Sequence, residues 1–243
     1  KTIVDNIKTL IGALLIAILI RSLIIQPFYI PSSSMEPNLL VGDRIFVSKF
    51  SYGYSKHSFP FSPNFSNKRF LSKEPTQGDL VVFKTPSDNR TDYIKRLIGL
   101  PGDEIQFING ELFINKIKIK RKKIDNIFQI RCGNFLLETN TYIETLPNGT
   151  EHMVTYNKKG SLQNTKIYKV PNNHYFLMGD NRDCSKDSRF LSEVGYVHQD
   201  NLVGNFSLQN IIFFTTLLLI TVSCVLLILN YFFNFQKIFN ITS

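Results

Sequence analysis

The sequence predicts a mainly β protein, with an antiparallel β-sheet or barrel-like domain between an N-terminal and a C-terminal transmembrane helix. Two long apolar runs stand near the ends of the 243-residue chain. Between them lie short runs of β-branched and aromatic residues, some separated by Asn-Gly pairs as in tight hairpins. No amphipathic helix of useful length interrupts these runs. The predicted organisation is therefore an anchor at 1–27, a β domain at 28–208 and a second span at 209–235.

Both terminal runs are interpreted as membrane spans. Residues 211–229 carry no charge, and they are long enough to cross a hydrocarbon core of about 30 Å. Residues 9–25 are interrupted by Arg21, whose long side chain can reach an interface. No small-residue pair at A-x-A spacing follows, which favours an uncleaved anchor over a removed signal peptide. Lys1 and Lys8 favour a cytoplasmic N-terminus, which places the middle of the chain outside.

The segments between the two runs read as strands in chain order. The stretches RIFVSKF and DLVVFKT are short, apolar and bounded by Gly-Asp pairs. The stretch IQFINGELFINKIKI has Asn109-Gly110 between two alternating segments, which predicts a two-residue hairpin turn. The stretch YIETLPNGTEHMVTY repeats the device with Asn148-Gly149, and HYFLMGDN predicts a buried strand that ends in a turn.

Residues 53–77 differ from the rest because Ser, Pro and Phe are concentrated there with little periodicity. Long irregular loops are commonly functional. Phenylalanines next to basic residues suit contact with lipid headgroups, and ordinary core packing is the alternative. The residues concerned are Phe59, Phe61, Phe65, Phe70, Lys56, Lys68 and Arg69.

The formal net charge of +9 indicates an anionic partner. Membrane phospholipid is favoured over nucleic acid, because no helix-turn-helix, zinc-finger or aromatic RNA-binding signature is visible. Without a CxxC or paired-histidine motif, neither a metal nor another cofactor is predicted. Of the three cysteines, Cys132 and Cys184 can pair or remain free, and Cys224 lies in an apolar run.

Three consecutive serines, Ser32, Ser33 and Ser34, follow the first apolar run. Serine is a weak nucleophile that needs a neighbouring base, and taken alone such a run is more often a polar loop. The histidines at 57, 152, 174 and 198 show no triad pattern, and the G-x-S-x-G elbow is missing.

A lysine supplies another possible base. In the stretch TDYIKRLIGLPGDEI, strand alternation places Tyr93, Lys95 and Leu97 on one face. A lysine among apolar side chains has a lowered pKa, and its neutral amine can accept a proton from serine. The alternative is an edge-strand lysine that reaches solvent. The stretch MGDNRDCSKDSRF is dense in turn-forming residues, and its arginines among aspartates predict ion pairing within the turn.

Together these stretches resemble the type I signal peptidases (leader peptidases) of bacteria, which are membrane-anchored Ser-Lys proteases. The motifs PSSSMEPNL, GDRIFVSKF, GDLVVFK, DYIKRLIGLPGD and GDNRDCSKDSR stand in the order of that family. The resemblance covers the first anchor and nearly the whole β domain.

The resemblance implies roles for individual residues. Ser34 is the nucleophile, Lys95 is the general base, and the Ser32 hydroxyl with the Ser34 backbone N–H forms the oxyanion hole. Ser185 orients the lysine by a hydrogen bond. The supporting residues are Asp187, Arg189, Asp180 and Arg182. Shallow pockets accept small substrate side chains one and three positions before the cut, and the residues that line them are Phe28, Ile30, Met35, Leu39, Tyr93 and Ile94. An extended substrate adds as a strand beside Asp92 to Lys95.

Two departures from the family pattern stand out. Cys184 takes a position commonly held by a polar residue, which places a thiol beside Ser185 and suggests redox sensitivity. The C-terminal span at 209–235 is an addition, because members typically keep their anchors at the N-terminus.

The predicted function is that of a membrane-bound serine endopeptidase that removes N-terminal signal peptides from exported preproteins through an acyl-enzyme. Its predicted location is the bacterial inner membrane, as a multi-pass protein with the catalytic domain on the periplasmic face. One alternative is a Ser-Lys self-cleaving regulator. It is disfavoured, because such a protein would be expected to carry a DNA-binding segment. The other alternative is a non-catalytic, membrane-tethered β domain that binds peptides or scaffolds a translocation complex.

Overall fold

The computed structural model describes residues 4, 7, 8, 11, 12, 24–58, 69–133, 135–157 and 163–206. Across these residues, no helix is long and apolar enough to cross a membrane. The predicted span at 209–235 and most of the predicted anchor at 1–27 lie outside the described residues. The first strand already begins at Ile25, inside the predicted anchor.

Residues 4, 7, 8, 11 and 12 are helical, and the elements with described bounds are fourteen β-strands and four short 3-10 helices. The strands are β1 (Ile25–Tyr29), β2 (Arg44–Ser48), β3 (Leu80–Lys84), β4 (Asp92–Gly99), β5 (Glu104–Ile108), β6 (Glu111–Ile114), β7 (Ile117–Lys118), β8 (Lys120–Cys132), β9 (Phe135–Thr145), β10 (Glu151–Asn157), β11 (Tyr168–Lys169), β12 (His174–Met178), β13 (Val197–His198) and β14 (Leu202–Phe206). The 3-10 helices are Ser33–Met35, Phe50–Tyr52, Lys56–Ser58 and Gln199–Asn201.

The strands form three antiparallel sheets, which confirms the predicted mainly β, antiparallel class. The largest has seven strands in the order β1-β2-β14-β3-β4-β12-β13. It is open, because β1 and β13 remain as edges within the described chain. The other sheets have the orders β10-β9-β8 and β11-β5-β6-β7. Strand β14, at the end of the described chain, lies inside the seven-stranded sheet, because it pairs with β2 on one side and with β3 on the other.

Both hairpins predicted at Asn-Gly pairs are confirmed, but only the first closes with the predicted two-residue turn. Asn109 and Gly110 both have positive φ and join β5 to β6 in the two-residue turn that such values favour. By contrast, residues 146–150 join β9 to β10, and in the Asn148-Gly149 pair only Gly149 has positive φ. The longer turn closes because Leu146 N donates to Thr150 O and Gly149 N donates to Leu146 O.

Buried side chains form three apolar clusters. One lies between the four-stranded sheet and β12 and contains Ile105, Phe107 and Phe176. Another packs one face of the large sheet, with Leu97 and Tyr93 from β4. The third packs Ile94 of β4 against residues that precede and follow the three serines, including Ile30 and Met35. The two faces of β4 that the alternation predicts therefore pack into different clusters.

The loop at 53–77 is described only at 53–58 and 69–77, so the predicted lipid contacts of Phe59, Phe61, Phe65 and Lys68 lie outside the described residues. Phe70 is 68% exposed and pairs through its backbone with Tyr54. The Arg69 guanidinium donates to the carbonyl oxygens of Tyr52, Gly53, Gln199 and Leu202. Arg69 therefore ties the loop to the domain, and lipid contact of the loop stays a prediction.

Candidate active site

The serine run forms a tight turn in which Ser33 and Ser34 are buried and Ser32 is exposed, rather than a solvated linker. Ser32 has extended backbone (φ −135°, ψ 154°) and begins the 3-10 helix Ser33–Met35. Leu39 N donates to Met35 O, and both apolar side chains are buried in the cluster that also contains Ile30. This packing holds Ser34 in place with only 7% of its surface exposed.

Lys95 lies in the interior of β4, opposite Val81 of β3. Its side chain is 3% exposed, and its amine lies 5.3 Å from the centre of the Tyr93 ring on the same face. Burial lowers the pKa of Lys95 from 10.5 to about 8, against the opposing effect of the Asp187 and Asp180 carboxylates. The expectation of a solvent-exposed edge lysine is therefore excluded by the structure.

Ser34 and Lys95 meet in space, although 61 residues separate them in the sequence. The Lys95 Nζ donates to Ser34 Oγ at 2.7 Å and to Ile94 O at 2.9 Å. The hydroxyls of Ser32 and Ser34 lie 3.3 Å apart, so Ser32 is close enough to act on an oxygen that develops beside Ser34. A buried amine of lowered pKa next to a serine hydroxyl is the arrangement that nucleophilic catalysis needs.

Ser185 differs from its expected contact. It is buried beside Gly179 and the Ser34 carbonyl, so tightly that a side chain at Gly179 would collide with it. Its hydroxyl has no partner with hydrogen-bond geometry in the described chain, and the predicted bond to Lys95 is not formed. The Ser185 hydroxyl lies close enough to the Asp187 carboxylate to help lower the pKa of Asp187.

The turn after β12 forms hydrogen bonds to the backbone of the serine loop. Asn181 N donates to Ser34 O at 3.1 Å, and Asn181 Nδ2 donates to Ser33 O at 3.1 Å. Asn38, which follows the serines, donates from Nδ2 to Asp180 Oδ2 at 2.7 Å. These contacts fix Ser34 relative to the turn. The sequence reasoning missed both asparagines, because an amide in a loop gives no sign of its partner.

Buried ion pairs support the turn, and only one lies within it as predicted. Asp187 pairs with Arg189, and its Oδ2 also accepts from Gly179 N at 2.9 Å. The other two arginine–carboxylate pairs reach out of the turn to other strands. They are Asp180 with Arg96 of β4, and Arg182 with Glu144 of β9. Prediction of ion pairing only inside the turn is therefore wrong for Asp180 and Arg182.

These pairs explain how Lys95 can lose its charge. Arginine remains protonated at any physiological pH, so each guanidinium permanently neutralises one buried carboxylate. Burial raises the pKa of Asp180, and Arg96 outweighs that effect and holds it below its usual value. Among the described residues Lys95 forms no salt bridge, because the buried carboxylates nearest to it are taken by arginines. Desolvation of the amine is thus left to dominate.

His152 joins the same buried group without a hydrogen bond to either ring nitrogen in the described chain. Its Nε2 lies 3.8 Å from Glu144 Oε2 and 4.0 Å from Asp180 Oδ1. Burial lowers the pKa of His152 to about 4, with Arg96 and Arg182 adding to that effect. The histidine is consequently neutral between the two ion pairs, and no sequence pattern indicated this position.

A cavity of about 370 Å³ opens at Ser34 and Lys95. Of the predicted substrate-binding residues, Phe28, Ile30, Asp92, Tyr93 and Ile94 line it. Met35 and Leu39 do not line it, because both are buried in the core cluster that contains Ile30, at 0% and 4% exposure. The lining residues that the sequence reasoning missed are Tyr29, Pro31, Ile45, Val82, Thr91, Cys184 and Lys186.

Cys132 and Cys184 form a disulfide, with their Cα atoms 5.6 Å apart. The sequence left this pairing open. The free thiol expected beside Ser185 is therefore wrong. The bond links the end of β8 to the turn, where Cys184 Sγ lies 3.7 Å from Ser33 Oγ.

Comparisons with known proteins show the family to which the chain is similar. The model of a family described as signal peptidase, peptidase S26, matches residues 3–211, a range that includes Ser34, Lys95 and Ser185. Signal peptidase I of Rickettsia conorii is 42% identical over 201 residues, which cover 78% of this chain and 72% of the relative. Signal peptidase I of Rickettsia typhi is 39% identical over 216 residues, which cover 84% of this chain and 78% of the relative.

Among solved structures, a signal peptidase I from Enterococcus faecalis is 27% identical. The superposition covers 56% of this chain and 98% of that chain, with a TM-score of 0.33.

Proposed function

The chain belongs to the signal peptidase family, peptidase S26, and from this membership we propose that Ser34 and Lys95 carry the reaction of a serine endopeptidase that removes signal peptides. The observation that carries the proposal is the 2.7 Å contact between the buried Lys95 Nζ and Ser34 Oγ. The match to the family model confirms the family predicted from the sequence motifs. The roles proposed for the individual residues are supported by geometry and chemistry.

In the first step, the neutral amine of Lys95 accepts the proton of Ser34 as Oγ attacks the scissile carbonyl. The lowered pKa supplies the neutral amine. Lys95 then carries the proton and gives it to the leaving amine of the mature chain, which leaves an acyl group on Ser34. Water hydrolyses this acyl-enzyme, with Lys95 again as base.

The oxyanion that forms during attack is stabilised by the Ser32 hydroxyl and the Ser34 backbone N–H. Ser32 is suited to this role because its oxygen lies 3.3 Å from Ser34 Oγ, next to where the carbonyl carbon must bind. A single donor of this kind contributes on the order of 3 kcal/mol in comparable acyl-transfer sites.

Ser185 and the ion pairs have a supporting role in this proposal. Once protonated, Lys95 becomes a buried cation that needs an additional acceptor, and the unpartnered Ser185 hydroxyl is available for it. Asp187 raises the pKa of Lys95 and so stabilises that cation. Arg189, Asp180 and Arg182 keep the turn in position through their salt bridges.

The substrate is proposed to bind as an extended strand along Asp92–Lys95. In this segment β3 occupies one side of β4, whereas β12 pairs with β4 only at Arg96, Leu97 and Gly99. Within the described chain the other side of Asp92–Lys95 has no paired strand, so its main-chain groups can bind a peptide. Phe28, Ile30 and Ile94 then limit the size of side chains before the cut.

The proposed location is the outer face of a bacterial cytoplasmic membrane, with phospholipid as a second partner. The anchor, which in this proposal ends before β1 begins at Ile25, leads directly to the site, because the nucleophile follows at Ser34. A substrate cleavage site that emerges at the bilayer is thus presented to a nearby nucleophile. The run at 209–235 is a second span in this proposal.

The test is cleavage of a preprotein that carries A-x-A before its cleavage site by the detergent-solubilised protein. Ser34→Ala and Lys95→Met are each expected to reduce cleavage to background. Ser33→Ala is the matched control, since it removes the neighbouring hydroxyl of the same helix and is expected to keep activity. Activity of Ser34→Ala or Lys95→Met equal to that of the parent would contradict the dyad. An inactive parent would favour the non-catalytic, peptide-binding β domain.

A further inference from the structure

The disulfide joins two elements of unequal rigidity. On one side, the turn after β12 is held by the Asn181 bonds to the serine loop, by Asp187 with Gly179 and Arg189, and by Asp183, which accepts from Asn157 N at 2.6 Å. On the other side, the strand pairing described for the end of the β8–β9 hairpin is its own ladder, up to Cys132 opposite Phe135. Cys132–Cys184 therefore holds the hairpin end more than it holds the turn.

The hairpin end is apolar and exposed. Phe135 is 74% exposed and Leu136 is 61% exposed. Adjacent residues of a strand point to opposite faces, so the hairpin end presents an apolar side chain on each side. In addition, β8 is an edge strand of its sheet in the described chain, which leaves main-chain groups that an extended polypeptide can pair with.

The disulfide places this hairpin end next to the substrate cavity. Cys184 and Lys186 line the cavity from the turn, whereas Phe28, Ile30 and Ile94 line it from the strands. If the residues before the cut occupy the strand side, the residues after it must leave along the turn side. Cys132, whose Cα lies 5.6 Å from that of Cys184, continues this wall toward Phe135.

We propose that the end of the β8–β9 hairpin, docked by the Cys132–Cys184 disulfide, is a binding surface for the substrate residues that follow the cleavage site. The occupant is an extended polypeptide with an apolar side chain in its first few residues after the cut. The inference rests on the proposed function. It assigns the substrate's mature segment to residues outside the dyad and its pockets.

The experiment compares two peptides with the same signal segment and the same A-x-A site. One ends at the first residue after the cut, and the other continues for eight residues that include a leucine. The full chain is assayed oxidised and after treatment with dithiothreitol, which passes two electrons and two protons to the disulfide, giving two thiols and a cyclic disulfide of the reagent. Alkylation of the denatured protein counts the thiols, since the chain has three cysteines.

Reduction is expected to raise KM for the longer peptide relative to the shorter one by about tenfold, which corresponds to about 1.4 kcal/mol, with the ratio of their kcat values unchanged. Cys132→Ser should reproduce this without reductant. The double variant Phe135→Ser, Leu136→Ser should do the same while alkylation shows the disulfide intact. The matched control is Ile117→Ser, because Ile117 is 65% exposed on β7.

Three outcomes would overturn the proposal. The first is a KM ratio that is the same in the oxidised, reduced and double-variant proteins. The second is a fall of kcat for both peptides on reduction, because the disulfide would then act through the catalytic turn. The third is an equal effect of Ile117→Ser. Cleavage of the shorter peptide separates these results from a failure of the proposed function, in which neither peptide is cleaved.

Discussion

The pH dependence of catalysis tests the burial of Lys95 most directly. With a pKa of about 8 instead of 10.5, roughly a tenth of the Lys95 amine is neutral at pH 7, against about three parts in ten thousand for an ordinary lysine. Burial therefore increases the population of the active base about 300-fold at that pH, or by about 3 kcal/mol. The sign follows from the role of the base: activity is lost as the pH falls through the pKa and the amine becomes protonated.

The assay is kcat/KM for a signal-peptide substrate between pH 6 and 10, which reports the free enzyme. We expect an acid limb centred near pH 8. Asp187→Asn should move the limb to lower pH, because Asp187 raises the pKa of Lys95 and the released Arg189 charge lowers it. Glu111→Gln, which removes a carboxylate paired with Lys118 on the four-stranded sheet, is the matched control.

The position of the limb is a readout that a merely structural effect of Asp187→Asn does not move. An acid limb near pH 10 in the parent would refute the argument that burial activates Lys95. A limb that stays in place in Asp187→Asn, or moves upward, would refute the electrostatic coupling between the two groups.

Three other predictions concern the oxyanion hole and the buried charges. Ser32→Ala should lower kcat about 100-fold with little change in KM, measured by steady-state kinetics, because the hydroxyl acts on charge present only in the transition state; an equal loss in Ser33→Ala would contradict it. Glu144→Gln should lower the free energy of unfolding by roughly 3 kcal/mol in urea denaturation, because it leaves the buried Arg182 guanidinium without its carboxylate. An unchanged free energy of unfolding would show that this ion pair does not stabilise the fold. The free energy of unfolding should fall by about 3 kcal/mol as the pH drops from 6.5 to 4, because the unfolded chain protonates His152 more readily than the folded one; His152→Leu should flatten this decline, and an equal slope in both proteins would contradict the assignment.

Local patterns in the sequence were sufficient for the class of the fold and for part of its detail. The Asn109-Gly110 turn could be predicted, because two adjacent residues of positive φ determine a hairpin by themselves. The faces of β4 could be predicted from alternation, since that depends only on the geometry of one strand. The Asn148-Gly149 turn was predicted wrongly, because the hydrogen bonds that close it involve Leu146 and Thr150, and these extend the turn beyond the Asn-Gly pair.

Partner choice inside the site was not predictable in the same way. Arg182 stands among aspartates in the sequence, yet it pairs with Glu144, 38 residues away. Asp180 pairs with Arg96 across 84 residues. Charges in a short turn predict only that ion pairs form, because which guanidinium reaches which carboxylate depends on how β4, β9 and the turn pack together.

The sequence by itself determined the chemical groups of this protein: a serine turn, a lysine on an apolar strand, a turn rich in aspartate and arginine, and their order along the chain. Only the tertiary structure decided that Lys95 meets Ser34, that Ser185 is not bonded to the lysine, and that Cys132 joins Cys184. The physical reason is that side-chain periodicity and turn preference are properties of a few adjacent residues. Contacts across 61 and 52 residues arise instead from the register of paired strands and the packing of separate buried clusters.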